Sequence, residues 1–392
     1  MNKLALRKNS LEALKTDLPR LLHPVAAFHC HRGLCKREVM ADFALELLKF
    51  TPPKESNIMS PLSLVAALSV LERAAGGSTK SQIANALRRT SDADVPELIR
   101  ALAAADGVLM AVATKFYLAN GTNLHEDYKS TVTKEFDVAT ECLDFRNQKL
   151  TVETVNNFVS EATRGMLPKL LSDDFSNPEM RALLVNAVYF KGEWANRFSP
   201  DATQTDVFHG INGDRQEPFM FMREMKTCRY AAAEEADVLA LPYKDHNYEF
   251  VIFLPQESVP FEKFREEFTG EKLRELLKYA YNDNSGVNVR IPKFKLSSQP
   301  NIKDMLTMLG ITDLFSECCN LEAMSPDPLF VSDAIHKAVI EVNEEGSEAA
   351  AASGLRIHLR TLRNIFPVFR ADRPFLYGVF RADEPLFIGQ FC

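Results

Sequence analysis

Residues 344–363 read EEGSEAAAASGLRIHLRTLR: small residues run from Gly346 to Gly354, and apolar and basic residues alternate after them. Three plain readings compete: a solvated linker, a short Ala-rich helix, or an exposed edge strand. A period of two separates them. As a strand, Ser347, Ala349, Ala351, Ser353, Leu355 and Ile357 share one face, and that face carries no charge. Glu348, Ala350, Ala352, Gly354, Arg356 and His358 share the other, which holds every titratable group before Leu359. A slip of one residue would turn Glu348 and Arg356 onto the buried side, so the pattern tolerates only one register. Yet the composition is too small and polar to pack without a sheet to receive it. A segment able to exist outside a sheet and then inside one is a switch element.

The rest of the chain supplies material for such a sheet. With 392 residues, 46% hydrophobic and 25% charged, it has ample substance for a large core. A net charge of −7 without a basic stripe argues against nucleic acid as a partner. No run of 18 or more apolar residues is present, so no membrane span is expected. The first 20 residues contain Lys3, Arg7, Lys8, Lys15 and Arg20 and no signal-like apolar run. A cytoplasmic location is the plain reading; an extracellular one follows if the start is wrong or export is unconventional. Seven cysteines, Cys30, Cys35, Cys142, Cys228, Cys318, Cys319 and Cys392, form an odd, irregularly spaced set that favours reduced thiols over a disulfide framework. His29-Cys30-His31 with Cys35 fits no usual zinc spacing, and neither metal nor cofactor is expected. GxSxG, HExxH, P-loop and GxGxxG signatures are absent, so an enzyme is not expected.

Residues 1–39 are basic and loosely patterned, and read as an extension of uncertain structure; a single domain is expected over 40–392. Residues 41–50 carry a helical stripe. Ser60 and Pro61 form a helix start, and residues 62–71 are apolar nearly all round, as in a helix buried on every side. Thr79 with Gln82 suggests a capping box for the next helix. The apolar run LLVNAVYF at 183–190 has the length and character of a central strand covered on both faces. Residues 251–254, 287–296 and 338–342 are further strand candidates, while 260–281 and 302–309 read as helical. Helices among scattered strands, with no repeating βαβ unit, place the chain in the α+β class.

Several blocks together resemble the serpin superfamily. Glu344, Glu345, Gly346, Ser347, Glu348, Ala349, Ala350, Ala351 and Ala352 look like the hinge of its inhibitory members. The blocks NIMSPLS at 57–63, NAVYFKGEW at 186–194, Pro292-Lys293-Phe294, His336-Lys337-Ala338 and FRADRPFLY at 369–377 match in the family's order. The resemblance implies three β-sheets with a large central sheet, eight to nine helices and an exposed reactive-centre loop. It also implies a monomer that acts as a suicide substrate: a serine protease cuts the loop, and the freed hinge enters the central sheet with the acylated protease attached. Ser60, Ser63, Asn186 and His336 match the family's shutter, where the central sheet parts, although N-cap and core hydrogen bonding would also account for them. Trp194 matches the breach, where the loop enters, although plain core aromatic mass would serve as well.

Inhibitory serpins usually place the specificity residue fourteen positions after the hinge glycine, which from Gly346 gives Arg360, with Thr361 after the bond. Counting back from Pro374 gives Arg363–Asn364 for the common short loop and Arg360–Thr361 for a longer one. Arg356 is a weaker candidate. All three are arginine, so a trypsin-like serine protease is the implied partner in each case. A papain-like cysteine protease recognising Leu359 is the alternative within the fold. A non-inhibitory carrier is the alternative outside protease chemistry.

Overall fold

Ser60 and Pro61 do begin a helix. In the computed structural model, which describes residues 32–87, 100–101, 104–136, 138–282, 284–345 and 366–392, Ser60 is the N-cap of α2 (Pro61–Ala74). The Ser60 side chain accepts a hydrogen bond from the Ser63 amide, and nearly every residue of α2 is buried. Helix α1 (Arg32–Lys49) starts well before the stripe at residues 41–50. The described residues hold eight α-helices and three sheets, which is the α+β architecture expected.

The largest sheet has six strands, in the order β1 (Asn57–Met59), β15 (Glu384–Phe391), β14 (Phe375–Arg381), β9 (Tyr248–Pro255), β8 (Ala236–Pro242) and β7 (Arg229–Ala232). A four-stranded sheet runs β13 (Val368–Arg370), β10 (Val287–Pro292), β6 (Gly213–Met225), β5 (Gln204–Gly210). The third sheet has five strands: β11 (Phe294–Ser298), β12 (Asp333–Val342), β4 (Ala182–Gly192), β2 (Val108–Ala119) and β3 (Ala139–Leu143).

The run at 183–190 is apolar throughout because β4 lies at the centre of that sheet and feeds two cores. Leu184, Val188 and Phe190 join the main core, which also takes in α2 and the six-stranded sheet. Leu183, Val185, Ala187 and Tyr189 face a smaller core beneath Val152, Val155 and Val159 of α5 (Gln148–Ala162). Alternation is present, but both sides of it are apolar.

Two local expectations need correction, and a third gains detail. Residues 287–296 form two strands in two different sheets, because the chain crosses between them at Lys293, whose amide bonds to Pro218. The helical stretch at 260–281 is α6 (Phe261–Glu267) and α7 (Gly270–Tyr279), divided where Phe268 turns inward against Phe253 and Phe264. Thr269 then caps the second helix through the Lys272 amide. Thr79 and Gln82 make no capping box: the N-cap of α3 (Gly77–Ala86) is Gly76, Thr79 accepts from the Asn320 amide, and Gln82 accepts from the Thr312 and Asp313 amides. Their oxygens hold a distant loop in place and are spent there.

Gly389 marks the tightest packing in the six-stranded sheet. It pairs with Ile58 of β1, and a Cβ at this position would collide with the Asn57 carbonyl oxygen, to which Tyr377 Oη donates at 3.0 Å. Backbone cannot yield as a flexible side chain can. Gly389→Ala is expected to cost about 2–3 kcal/mol, read as a lower urea midpoint with unchanged m value.

Candidate functional site

β4 and β12 are direct, parallel neighbours over eight register pairs, from Asp333↔Leu183 to Ile340↔Phe190. Beyond β12 the chain passes through Asn343, Glu344 and Glu345 into residues 346–365, which lie outside the described residues. It resumes at Phe366 and joins β13 on the edge of the four-stranded sheet. A strand that doubled back from the end of β12 would run antiparallel to β12 and to β4 alike. Two parallel neighbours can therefore accept such a strand between them, with both new ladders antiparallel.

A buried polar cluster ties these strands together at mid-length. Asn186 on β4 sits beside His336 on β12 and Thr114 on β2, in register across three strands. Its Oδ1 accepts from Ser63 Oγ at 2.9 Å and lies 2.7 Å from His336 Nδ1; its Nδ2 donates to Thr114 Oγ1 at 2.8 Å and to the Ser63 carbonyl at 3.5 Å. The Ser60 amide donates to His336 Nε2 at 3.2 Å, and Ser60 Oγ donates to the Leu386 carbonyl at 2.9 Å. These contacts fix one tautomer. Nε2 must be the acceptor, so Nδ1 carries the proton and donates to Asn186. Burial alone pushes the imidazole down to about 3, so His336 stays neutral. Ser60, Ser63, Asn186 and His336 thus form one site; Thr114 is a member the sequence reading missed. Its signal was a threonine among the apolar residues of β2.

The upper end of the β4–β12 pair has its own fastening. Trp194 follows β4, and its Nε1 donates to the Asn343 carbonyl, just past β12, at 2.7 Å. The indole stacks on Tyr243, with centroids 4.8 Å apart and planes 7° from parallel, and packs edgewise on Phe198 and Phe250. Glu344 is buried although charged. Its carboxylate accepts from Thr203 Oγ1 at 2.8 Å and pairs with Lys293 Nζ at 2.7 Å, while its carbonyl accepts from the Phe198 amide. Burial opposes ionisation here, but the hydrogen bonds from Lys293 and Thr203 prevail and hold the carboxyl below the usual carboxylate range. The sequence at residue 344 gave no sign of Lys293 or Thr203 as partners.

The sequence model of the family described as "Serpin (serine protease inhibitor)" matches residues 38–392. The chain belongs to the serpin family. It is 33% identical over 353 residues to "Ipis-1" of Ixodes persulcatus, covering 86% of this chain and 92% of that one. It is 30% identical over 344 residues to "Serine protease inhibitor 42Dd" of Drosophila melanogaster, covering 85% and 90%. Among solved structures, the thermophilic serpin tengpin in its native state superposes with a TM-score of 0.81 at 26% identity, over 94% of this chain and 96% of that one. Serpins are in the main protease inhibitors and not catalysts.

Of the residues the sequence singles out in this serpin, Glu344 and Glu345 are described, and Glu345 donates its amide to Asn343 Oδ1 at 3.2 Å. Gly346, Ser347, Glu348, Ala349, Ala350, Ala351, Ala352, Arg360, Thr361, Arg363 and Asn364 lie outside the described residues. The five described cysteines, Cys142, Cys228, Cys318, Cys319 and Cys392, are all free thiols. No helix among the described residues is long and apolar enough to cross a membrane.

Trp194 is the only tryptophan, and it bonds to the chain where a strand arriving between β4 and β12 would have to begin. Cleavage of the serpin by trypsin is expected to shift its intrinsic emission, and Trp194→Phe to abolish the shift. An unaltered spectrum after cleavage would mean that the ends of β4 and β12 stay closed.

Proposed function

We propose that this serpin is a suicide-substrate inhibitor of trypsin-like serine proteases, cleaved at Arg360–Thr361. The observation that carries the reading is the parallel β4–β12 pair, whose second strand leads straight into the segment bearing the arginines. The hydroxyl of the protease serine attacks the Arg360 carbonyl carbon. The Thr361 amine departs with a proton relayed by the protease histidine, leaving an ester between Arg360 and the protease. An arginine side chain suits a specificity pocket with a carboxylate at its base.

Cleavage frees the hinge to double back from Glu345 and enter between β4 and β12. Ser347, Ala349, Ala351 and Ser353 would face one core and the charged set the other side. Ladder bonds at about 0.5–1.5 kcal/mol each, over a dozen residues, amount to roughly 10 kcal/mol, the scale of a domain's whole stability. That is enough to drag the protease before the ester hydrolyses. Gly354 weakens the inserted strand by only about 0.5–1 kcal/mol. In this scheme Trp194, Glu344 and the Asn186–His336 cluster are the fastenings that must open. The similarity to a protein named as a serine protease inhibitor supports the same reading.

Mixing the serpin with trypsin should give a complex that survives SDS, together with a released C-terminal peptide beginning at Thr361. A peptide beginning at Asn364 would move the bond to Arg363. Trapping confined to papain-like proteases, or no trapping by either class, would overturn the proposal.

A further inference from the structure

The three most exposed large hydrophobic side chains among the described residues are Tyr281, Tyr279 and Val368, at 64%, 62% and 62% exposure. The two tyrosines stand together. Tyr279, the last residue of α7, and Tyr281 line a groove of about 520 Å³ together with Met225, Tyr230, Val287 and Pro367. Val368 belongs elsewhere, in a separate cleft with Leu254 and Arg373. The groove is built on firm supports: Tyr281 and Tyr230 exchange backbone hydrogen bonds, and the Asn288 amide donates to the Pro367 carbonyl at 2.8 Å. Single apolar side chains on a surface need no explanation, but two exposed tyrosines on one groove mark a contact surface.

We infer that this groove is a secondary docking surface for the target protease, engaged while the reactive bond sits in the protease cleft. The inference rests on the inhibitor reading of Arg360–Thr361, and chain length is its warrant. From Thr361 to Pro367 is six residue steps, at most about 21 Å when fully extended. A trypsin-type domain of roughly 230 residues has a radius of gyration of about 17 Å. Residues after the scissile bond run along the leaving-group side of the protease cleft, so that side of the protease faces Pro367 and the groove. Cleavage at Arg363–Asn364 would bring it closer still. Tyrosines are suited to this task because they present large, stiff, amphipathic contact area, and they are enriched among residues that dominate protein interfaces.

The test is the rate of covalent trapping of trypsin by three variants of the full chain. Tyr279→Ser/Tyr281→Ser removes two side chains that are mostly in water, so its thermal midpoint should match that of the unaltered protein. Its second-order trapping rate is expected to fall about ten-fold with unchanged stoichiometry. Tyr281→Glu, which leaves Tyr279 in place, should lower the rate in the same direction. Met308→Ser, a control at a site 60% exposed on α8 (Ile302–Met308), should not. Rates equal to the unaltered protein for both tyrosine variants would overturn the inference while leaving the inhibitor reading standing. A raised stoichiometry at constant rate would assign the groove to the chain's own loop and overturn it too. Failure of the unaltered protein to trap trypsin at all would overturn the inhibitor reading itself.

Discussion

Ser347→Arg should turn this serpin from an inhibitor of trypsin into a substrate. Ser347 opens the uncharged face of the hinge, the face that a strand between β4 and β12 would press into a core. The neighbours on either side would be β4, buried along nearly its whole length, and β12, buried at most positions. An arginine placed there would have to enter without a partner, at a cost of several kcal/mol, or leave the first turn of the inserted strand unpaired. Entry begins at this end, so the whole insertion slows. On the proposed mechanism acylation depends on Arg360 and should be untouched. The ester therefore hydrolyses before the protease is displaced. The expected result is at least a ten-fold rise in the stoichiometry of inhibition, with the cut still at Arg360–Thr361. Ser347→Ala, which keeps the face uncharged, should leave the stoichiometry near its starting value. An Arg variant that still traps trypsin one to one would sink the insertion mechanism.

What could be read in advance was what local chemistry determines. Ser60 and Pro61 announce a helix start whatever surrounds them, and the α2 cap is where the two residues place it. The run at 183–190 could be recognised as a doubly covered strand because both parities are apolar. Features that depend on distant partners were not legible. Thr79 and Gln82 had the spacing of a cap, but the loop at residues 312–320 claims their oxygens. Residues 287–296 look like one strand, and only the identity of the partner strands splits them between two sheets. Glu344 reads as the start of the hinge, and only the fold brings Lys293 and Thr203 to it. The site follows the same rule. The family pattern located Ser60, Ser63, Asn186 and His336, yet Thr114 became visible only when β2 was set beside β4.

Acid should loosen the sheet, and His336 is the reason. The cluster demands a neutral imidazole, since a proton on Nε2 would remove the acceptor for the Ser60 amide and place a charge among buried groups. Burial holds the folded-state value at about 3, well under the ordinary 6.5. A depressed histidine stabilises the closed state fully above pH 6.5, where neither state binds the proton. As pH falls from 6.5 towards 3, the opened or unfolded chain takes up a proton that the closed chain refuses, and stability is lost. At pH 4.5 the loss from this residue is about 2–3 kcal/mol. The urea midpoint should therefore drop between pH 7.5 and 4.5. His336→Gln cannot titrate and should show a smaller drop, although it starts from lower stability because the bonds to Ser60 and Asn186 are altered. The comparison matters because Asp237 and Asp333, whose carboxyls burial pushes up, act in the opposite sense and are common to both proteins. Parallel pH profiles for the two would show that His336 takes no part. A steeper profile for the unaltered chain would identify the bond from the Ser60 amide to His336 on β12 as the one that acid releases.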